Sequence, residues 1–521
     1  MPERRTQPRR GGSAARRKRR QTTRTDAAVR PGLTGGQYRP LSEHDIQRIC
    51  ASALEILEEI GIGDPIPEIL DYALEGGCRL DDAGRLRFPR ALVEDLIDVS
   101  ASEYTLFAPD PDHDLEVRGQ DVLFSTSGEA VTILDYETQK FRPTRLVDLY
   151  DAARLADQLE HIHTFGQPFI AAEYSDDVFV HDINAAYAEL AGTRKSFALG
   201  ISQATHIEPL IALFDAYLGT ADGFLERPFC TFGGCPIVSP LRFGKEGAEV
   251  LVRVAELGLT GDVAVAPQAG ATAPAALAGT LVQCLAETLA CLCVVNLVRP
   301  GSTINFGMWP FISDLRTGAF TGGSGEEALV TAATVQLCNH LGLITSVGTG
   351  MTDAKTMDVQ AGYEKALTTL SAALAGGNLV SAYPGIVGSL IGQSFEGMVI
   401  DNDMLGNIQR MLRGIEVTDE TLSLEVIREV VADEGHFLGH PQTLALMQSE
   451  YLYPQVADRL TPGAWEDAGH QTLYEQAHER VGAMLATHYP RYITPAADER
   501  IRAQFPIRLE PADMRAGNDR W

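Results

Sequence analysis

Residues 344–383 read ITSVGTGMTDAKTMDVQAGYEKALTTLSAALAGGNLVSAY, and this stretch contains one strand, one loop, one helix and a second strand. The runs at 344–348 and 378–383 are short, mostly apolar and bounded by glycine or polar residues, which is typical of buried strands. Residues 359–375 between them have the length and composition of a helix. The stretch therefore predicts a β/α unit.

The same pattern recurs along most of the chain. Strand-like runs begin at residues 164, 196, 229, 262, 303, 344 and 378, and helical segments lie between them. An eighth run is expected at 122–125. Eight such units fit a (β/α)₈ TIM-type barrel better than an open sheet. No glycine-rich dinucleotide motif or Walker sequence favours the open-sheet alternative.

The region before the first unit is expected to be helical. Apolar residues recur at helical spacing over 41–61, with Ser42 as the N-cap and Asp45 at the third helical position. Two shorter helices are expected on either side of a turn at 81–84. The predicted organisation is a disordered basic arm at 1–32, a helical cap region at 33–120, a barrel at 121–490 and a C-terminal extension at 491–521.

Charge divides the chain into a basic arm and an acidic body. The net charge is -27, although the first 30 residues are strongly basic. An acidic body disfavours nucleic acid as a partner. The arm has too few apolar residues to build a core, so we expect a solvated tail, with contact to an acidic partner or to the protein's own surface as the alternative. No apolar segment of an export signal follows its paired arginines.

Cysteine usage and the longest apolar run both indicate a soluble cytoplasmic protein without a membrane partner. The eight cysteines lack the spacing of a disulfide framework or a zinc finger, so buried thiols in a reducing compartment are expected. The apolar run at 273–298 contains Gln283, Glu287 and Asn296. These polar groups favour a buried core helix over a membrane span.

Nine short motifs occur in a fixed order from the N-terminal region to the end of the barrel. Together they resemble the trimethylamine methyltransferase family of corrinoid-dependent enzymes, over roughly residues 33–490. The resemblance implies a (β/α)₈ fold and methyl transfer to cobalamin, as cob(I)alamin carried by a separate small corrinoid protein. We also expect a homo-oligomer. The motifs lie at 35–41, 53–61, 238–241, 270–274, 277–281, 347–365, 396–403, 414–417 and 435–438.

Met351 decides which branch of the family the chain resembles. Pyrrolysine-containing members carry that residue at about this position, and its imine is thought to capture the amine. Methionine has no electrophilic carbon. An amine leaves as a neutral molecule only if its nitrogen already carries four substituents. The resemblance therefore implies the non-pyrrolysine branch, with a quaternary, betaine-like substrate.

The strand ends of a barrel are where its chemistry gathers, and aromatic residues are frequent there. Ring faces attract a trimethylammonium, which offers no hydrogen bond. Phe306, Trp309, Phe311 and Tyr383 are therefore candidate substrate contacts, with ordinary packing as the alternative. Met351 is a candidate catalytic residue that lines the pocket with its polarizable thioether, or else it only fills the core.

Polar residues around Met351 form a second group of candidates. Asp353 and Lys355 either orient substrate or hold their loop by an ion pair. Glu364, the second catalytic candidate, and Gln360 share one helix face. They contact substrate or corrinoid, or they only stabilise the helix. A substrate carboxylate would need a donor, for which Lys355, Gln268 and Arg316 are the candidates.

Two further polar groups are expected to be structural or inert. Glu287, in the apolar helix, is costly to bury without partners, which favours a hydrogen-bond network over an active-site carboxylate. His436 and His440 are spaced as metal ligands on a helix, but Gly435, Gly439 and Pro441 argue against a regular helix. No metal is expected, since a quaternary nitrogen needs no Lewis acid.

The function that follows is methyl transfer from a quaternary amine to cob(I)alamin. One alternative is a tertiary-amine methyltransferase, of the trimethylamine type, on the same scaffold. The other is a non-catalytic homologue that binds the corrinoid protein, with the basic arm as the contact element.

Overall fold

The computed structural model describes residues 30–432, 435–518 and 520–521. Its centre is an α/β arrangement around a curled sheet with eight parallel strands. From β2 onward each strand pairs with the next one in the chain, and β8 also pairs with β1. An isolated parallel bridge joins Ser125 to Thr164. The strands are β1 Asp121–Ser125, β2 Phe165–Gly166, β3 Phe197–Gly200, β4 Cys230–Gly234, β5 Gly261–Val265, β6 Ile304–Met308, β7 Thr345–Gly348 and β8 Leu379–Ser381.

A helix follows each of these strands, and additional helices lie at both ends of the chain. α1, α2 and α3 precede the sheet, and α12 to α16 follow the last β/α unit. The α-helices of at least six residues are α1 Glu43–Glu55, α2 Pro67–Glu75, α3 Arg90–Val99, α4 Leu146–Gln158, α5 Val178–Gly192, α6 Ile207–Leu218, α7 Lys245–Glu256, α8 Leu277–Val298, α9 Gly325–His340, α10 Val359–Ala375, α11 Phe395–Arg413, α12 Leu424–Ala432, α13 Pro441–Leu446, α14 Pro462–Asp467, α15 Leu473–Thr487 and α16 Pro495–Gln504.

Short additional strands, most of them paired antiparallel, lie around the central sheet. Leu33–Thr34 pairs with β1, and the hairpin of Glu103–Leu106 and Leu115–Arg118 brings Leu106 to the interior of the sheet. The other short strands are Arg79–Leu80, Leu86–Arg87, Thr132–Leu134, Phe141–Pro143, Ile237–Val238, Arg242–Phe243, Gln268–Ala269, Phe311–Ser313, Phe320–Thr321, Ile386–Val387 and Gly392–Gln393.

The strands place apolar and polar residues on opposite faces of the sheet. In β6, Ile304, Phe306 and Met308 are buried in the outer core beneath the helices, whereas Asn305 faces an interior cavity. In β5, Val263 and Val265 likewise belong to the outer core and Asp262 faces inward. This alternation follows from the two-residue period of a strand, and it gives the curled sheet a polar interior.

Side-chain caps fix where the helices near the site begin. Ser324 accepts a hydrogen bond from the Glu327 N–H at the start of α9. Asp358 caps α10, and Ser394 caps α11 in the same way. Such caps satisfy backbone N–H groups that have no partner within the helix. They therefore define the ends of the loops that precede these helices.

The N-terminal helices lie beside the sheet against α8. Ser42 caps α1 as expected, accepting a hydrogen bond from the Asp45 N–H at 3.3 Å. α8 is long and apolar enough to cross a membrane, yet most of it is buried inside the protein, which is consistent with a soluble protein. Within α8, the Glu287 carboxylate accepts hydrogen bonds from the Ser239 hydroxyl, the Leu241 N–H and the Gln283 amide. The prediction that Glu287 belongs to a structural hydrogen-bond network is therefore confirmed.

The strand predictions agree closely with the structure. All seven runs contain a parallel strand, and the expected eighth run at 122–125 falls within β1. One crossover helix, α4, has no counterpart in the sequence prediction. The predicted basic arm lies outside the described residues up to position 29.

Candidate active site

The interior of the sheet holds a cavity of about 60 Å³ whose walls include several polar side chains. Thr231, Asp262, Asn305 and Ser346 line it, and Trp309 borders it. Asp262 is hydrogen-bonded to Asn305 and Thr231, but burial outweighs these bonds and raises its pKa to about 6. A carboxyl group that ionises so close to neutrality responds strongly to a nearby cation.

Tyr104, from the hairpin before β1, reaches this interior. Its hydroxyl donates a hydrogen bond to Asn305 Oδ1. Burial raises the pKa of the Tyr104 hydroxyl, and the nearby Asp262 charge acts in the same direction. Tyr104, Asn305 and Asp262 thus form a connected buried polar network.

Three of the four predicted aromatic residues come together beyond the strand ends. Ring centroids are 6.1 Å apart for Trp309 and Tyr383, and 6.5 Å apart for Trp309 and Phe311. Phe320 joins them, 5.0 Å from Phe311. We call these four residues the aromatic cluster. Phe306 is not part of it, because its ring lies on the opposite face of β6, in the outer core.

The aromatic cluster is held in place by polar contacts. The Trp309 indole N–H donates to the Ser346 carbonyl at 3.1 Å. The Tyr383 hydroxyl is hydrogen-bonded to Ser127, and burial raises its pKa. Gln268 pairs with Phe311 across two short strands, so this predicted residue also borders the cluster.

Met351 is fully buried and belongs to the same core as Phe311 and Tyr383. Its side chain is packed closely enough that a Cβ atom added to Gly322 would lie 2.8 Å from Met351 Cβ. Gly350, directly before it, has a φ of +67°, a value that favours glycine. The structure thus places Met351 in the core with no exposed surface, and Met351 is not among the residues that line the interior cavity.

Glu364 organises the loop that follows Met351. Its carboxylate accepts hydrogen bonds from the Thr352 hydroxyl at 2.5 Å and the Asp353 N–H at 3.0 Å. Gln360 donates to the other oxygen at 2.9 Å. Glu364 therefore holds the loop through hydrogen bonds, and Gln360 supports it from the same helix.

Asp353 and Lys355 are also engaged locally. Asp353 accepts hydrogen bonds from the Gly322 N–H and the Ser389 hydroxyl. The exposed Lys355 ammonium donates to the Asp353 backbone carbonyl at 2.6 Å, so the bond that holds the loop runs to a carbonyl and not to a carboxylate. Arg316 pairs with Asp314 at the surface. Lys355 and Arg316 thus each have a partner within their own loop.

A buried ion pair ties the Met351 loop to the Tyr383 loop. Lys365 Nζ lies 3.1 Å from Asp401 Oδ2, and it also donates to the carbonyls of Gly350 and Tyr383. Asp401 accepts a hydrogen bond from the Gly385 N–H. Burial lowers the pKa of Lys365 and raises that of Asp401.

No group of side chains suited to a metal ion occurs among the described residues. His440 caps α13, and its Nδ1 accepts the Gln442 N–H. Its Nε2 lies 3.3 Å from Glu429.

The family of the chain follows from its similarity to known proteins. The model of the trimethylamine methyltransferase (MTTB) family matches residues 9–510. The chain belongs to the trimethylamine methyltransferase family. This confirms the predicted family, and with it the prediction that the chain is a methyltransferase enzyme.

Several named proteins are similar to this family member. The glycine betaine methyltransferase of Desulfitobacterium hafniense (strain Y51) is 28% identical over 467 residues, which cover 90% of this chain and 96% of that protein. The trimethylamine methyltransferase of Methanosarcina barkeri is 30% identical over 461 residues, covering 88% and 92%. The crystal structure of the monomethylamine methyltransferase of Methanosarcina barkeri aligns with a TM-score of 0.43 and 11% identity, over 87% of this chain and 95% of that one.

Two accessible groups in this family member were missed from the sequence. Glu129 follows β1 and is solvent-accessible, yet desolvation by its surroundings raises its pKa. Cys235 follows β4 and is also accessible, which corrects the expectation that the cysteines are buried, and desolvation raises its pKa to about 11. Both side chains are accessible to solvent and are also desolvated by neighbouring protein atoms. This combination indicates that they lie in a concave opening. Their positions directly after strands were the available signal.

Glu327 is a third missed residue, and it lies beside the Met351 loop. One carboxylate oxygen accepts a hydrogen bond from the Gly323 N–H at 2.5 Å, and the other has no partner among the described residues. Burial raises its pKa to about 8. Glu327 is therefore uncharged at neutral pH, unless a cation lies nearby.

Proposed function

We propose that this enzyme transfers a methyl group from a quaternary amine to cob(I)alamin carried on a separate corrinoid protein in the cytoplasm. The observation that carries this proposal is Met351. A side chain without an electrophilic atom is buried in the core at the position that the family resemblance assigns to pyrrolysine. A substrate that is already quaternary needs no electrophile, because its amine leaves as a neutral molecule.

We also infer that the curled sheet closes into a (β/α)₈ barrel. β8 pairs with β1 on one side, and the Ser125–Thr164 bridge supports contact between β1 and the start of β2 on the other. Each strand is followed by a helix, as in a barrel of this type. The proposed site would then lie at the end where the strands terminate, between the interior cavity and solvent.

The side chains at this end suit a cationic group. Ring faces of Trp309 and Tyr383 would attract an ammonium by cation–π interaction. Asp262 beneath them and Glu129 at the opening would supply negative charge, since a nearby cation favours the ionised carboxylate. The similarity to glycine betaine methyltransferase supports a betaine-like substrate modestly. Of the predicted donors for a substrate carboxylate, Lys355 and Arg316 already have partners within their own loops.

An exposed glycine at a strand end supports the proposal of a large methyl acceptor. Gly200, at the end of β3, is exposed, and a Cβ atom added there would meet open space. A bound corrinoid supplies a nucleophilic cobalt(I) centre that accepts the methyl group. In the transfer, the N–C bond breaks, its electron pair stays on nitrogen, and the protein contributes by orienting the ammonium and excluding water.

Anaerobic absorption spectroscopy of cob(I)alamin tests this function. The purified protein is mixed with trimethylamine, glycine betaine, proline betaine, carnitine or choline. Conversion of cob(I)alamin to its methylated form with a quaternary compound, but not with trimethylamine, is the expected result. Turnover of trimethylamine would contradict the argument from Met351. If no compound methylates cob(I)alamin, even when the corrinoid protein is supplied, the result would favour a non-catalytic role.

A further inference from the structure

One acidic side chain governs the charge of the interior cavity. Among the described residues that line this cavity, Asp262 is the one with an acidic or basic side chain. The remaining lining residues are apolar, hydroxyl-bearing or glycine, apart from Asn305 and Trp309. The walls of the cavity therefore carry a negative charge only when Asp262 has released its proton.

Asn305 is the direct neighbour of Asp262 across two strands. Asp262 of β5 is paired with Asn305 of β6 in the parallel ladder, and both side chains face the cavity. Burial raises the pKa of the Asp262 carboxyl, and the hydrogen bond with Asn305 acts in the opposite direction. A hydrogen bond that lowers the pKa of a carboxyl group stabilises its charged form. The amide N–H of Asn305 is therefore the donor, and the carboxylate is the acceptor.

Tyr104 contacts the other end of the Asn305 amide. An amide side chain has a carbonyl oxygen that accepts hydrogen bonds and an NH₂ group that donates them. The Tyr104 hydroxyl donates to Asn305 Oδ1, which leaves the NH₂ group to face Asp262. The opposite orientation of the amide would place its oxygen against the carboxylate and would leave the Tyr104 hydroxyl proton without its acceptor.

The hairpin before β1 holds Tyr104 at this point. Its strands, Glu103–Leu106 and Leu115–Arg118, pair antiparallel. Tyr104 packs against a small apolar cluster that the hairpin forms with the central sheet. The cluster consists of Leu106, Leu115, Val117, Leu123, Ile344 and Leu379. An element outside the β/α units thus supplies a hydroxyl group to the interior of the sheet.

We propose that Tyr104 is a positioning residue of the candidate active site, because its hydroxyl orients the Asn305 amide and thereby keeps Asp262 a charged partner for a bound ammonium. This inference rests on the proposed binding of a quaternary amine. Without the hydroxyl, the amide is free to turn its oxygen towards a protonated Asp262 and to accept a hydrogen bond from it. Loss of the Tyr104 hydroxyl therefore favours the uncharged carboxyl group.

The titratable groups around Asp262 allow this effect to be measured. Tyr104 and Cys235 interact electrostatically with Asp262. Burial raises the pKa of Tyr104, and desolvation raises that of Cys235 to about 11, so both groups are neutral over the range in which Asp262 ionises. Glu129 at the opening also titrates, and it is common to every variant compared below.

Infrared spectroscopy of the purified full chain between pH 4 and pH 8 tests the proposal. The C=O band of the protonated Asp262 carboxyl is identified by its absence in Asp262→Asn. Tyr104→Phe is expected to raise the pH midpoint of this band by about 0.5 to 1 unit, a roughly three- to tenfold change in proton affinity. The control Tyr72→Phe removes a hydroxyl that is bonded to Glu256 and should leave the midpoint unchanged. An unchanged midpoint in folded Tyr104→Phe overturns the proposal.

Calorimetry with tetramethylammonium separates positioning from general damage. At pH 6 Tyr104→Phe should bind this cation about two- to fivefold more weakly than the unaltered protein. At pH 8 the two should bind it almost equally, because Asp262 is ionised in both. Equal weakening at both pH values means that the hydroxyl only supports the fold, and it overturns the proposal. If no form binds the cation, the proposed function fails, while the infrared midpoints still decide whether Tyr104 acts on Asp262.

A second substitution guards against misfolding of Tyr104→Phe. Replacing Tyr104 by 3-fluorotyrosine keeps the ring and the hydroxyl but makes the hydroxyl a stronger hydrogen-bond donor, because fluorine withdraws electrons from the phenol. The midpoint of Asp262 should then move to lower pH, opposite to the effect of Tyr104→Phe. A midpoint that stays in place or moves to higher pH overturns the proposal.

Discussion

At the scale of single residues, the candidate site is defined by carboxyl groups whose ionisation depends on what lies beside them. Asp262 faces the interior cavity and Glu327 lies beside the Met351 loop, and burial raises both pKa values. Neither was identified from the sequence, because a single acidic residue in a strand or at a helix start gives no sign of the direction in which it points.

Asp262 should make binding of a quaternary ammonium depend on pH. Its pKa of about 6 means that the attractive carboxylate is largely absent at pH 5 and largely present at pH 7. We expect the Kd to fall up to about tenfold over that interval. Asp262→Asn should bind more weakly at pH 7 and lose the pH dependence.

Titration calorimetry at pH 5, 6 and 7 measures this effect, and Asp71→Asn, at an exposed position of α2, is the control. An unaltered pH profile in Asp262→Asn would show that this carboxyl does not sense the ligand.

Because Glu327 is buried, it should lower the free energy of unfolding of the protein as the pH rises. Its pKa is raised from 4.5 to about 8, so the unfolded chain releases the proton first, and stability falls between about pH 4.5 and 8. Glu327→Gln cannot ionise and should gain about 2 to 4 kcal/mol relative to the unaltered protein over that range. Chemical unfolding at pH 5 and pH 8 measures the difference. The neighbouring exposed Glu326→Gln should show no such gain.

At the scale of elements, the local sequence pattern predicted where the strands lie, but it did not predict which side chains of each strand face the interior. Short apolar runs bounded by turns located seven strands. The inward face was not determined, because shifting a strand by one residue exchanges its two faces. Phe306 and Asn305 show the consequence, since the aromatic residue points to the helices and the amide to the cavity. The aromatic cluster was largely predictable because Trp309, Phe311 and Tyr383 lie at or beyond strand ends.

The Lys365–Asp401 pair should be essential for the stability of the Met351 and Tyr383 loops, which it joins. Lys365→Met leaves Asp401 as an unpaired buried charge, which typically costs about 3 to 5 kcal/mol. Adding Asp401→Asn should recover part of this loss. Both variants should also bind a quaternary ammonium at least tenfold more weakly, because the Gly350 and Tyr383 carbonyls lose their shared donor.

Lys195→Met is the matched control for this experiment. Lys195 is also buried and donates to the carbonyls of Ala156, Leu159 and Ile162, all of which precede β2 in the chain. It should lower stability without changing ligand affinity. Equal loss of affinity in both lysine variants would mean that the effect comes from general destabilisation.

At the scale of the whole molecule, the chain end returns to the first β/α unit. The Trp521 indole N–H donates to Asp151 Oδ2 at 2.9 Å, and Arg520 pairs with the same carboxylate. Arg154 approaches Asp151 from within α4. Contacts between residues so distant in sequence leave no local pattern. The sequence therefore predicted a C-terminal extension but none of its contacts with α4.

Ending the chain after residue 518 should therefore destabilise the whole protein. Removing Arg520 and Trp521 leaves Asp151 with fewer partners in a buried position, and we expect a loss of about 2 to 3 kcal/mol. Differential scanning calorimetry should show a Tm several degrees lower. Tyr489→Phe, near the same helix, is the control and should change Tm by much less. An unchanged Tm in the shortened chain would mean that these contacts contribute no net stability.

The pairing of β1 with β8 has a consequence for how the protein is made. β1 is among the earliest parts of the sheet to leave the ribosome, but the strand that covers one of its edges begins only at Leu379. Until then, that edge presents unpaired backbone groups, a surface prone to joining strands of other chains. Synthesis of this protein thus includes a long interval of vulnerability to aggregation, and chaperones that bind nascent chains should matter most during that interval.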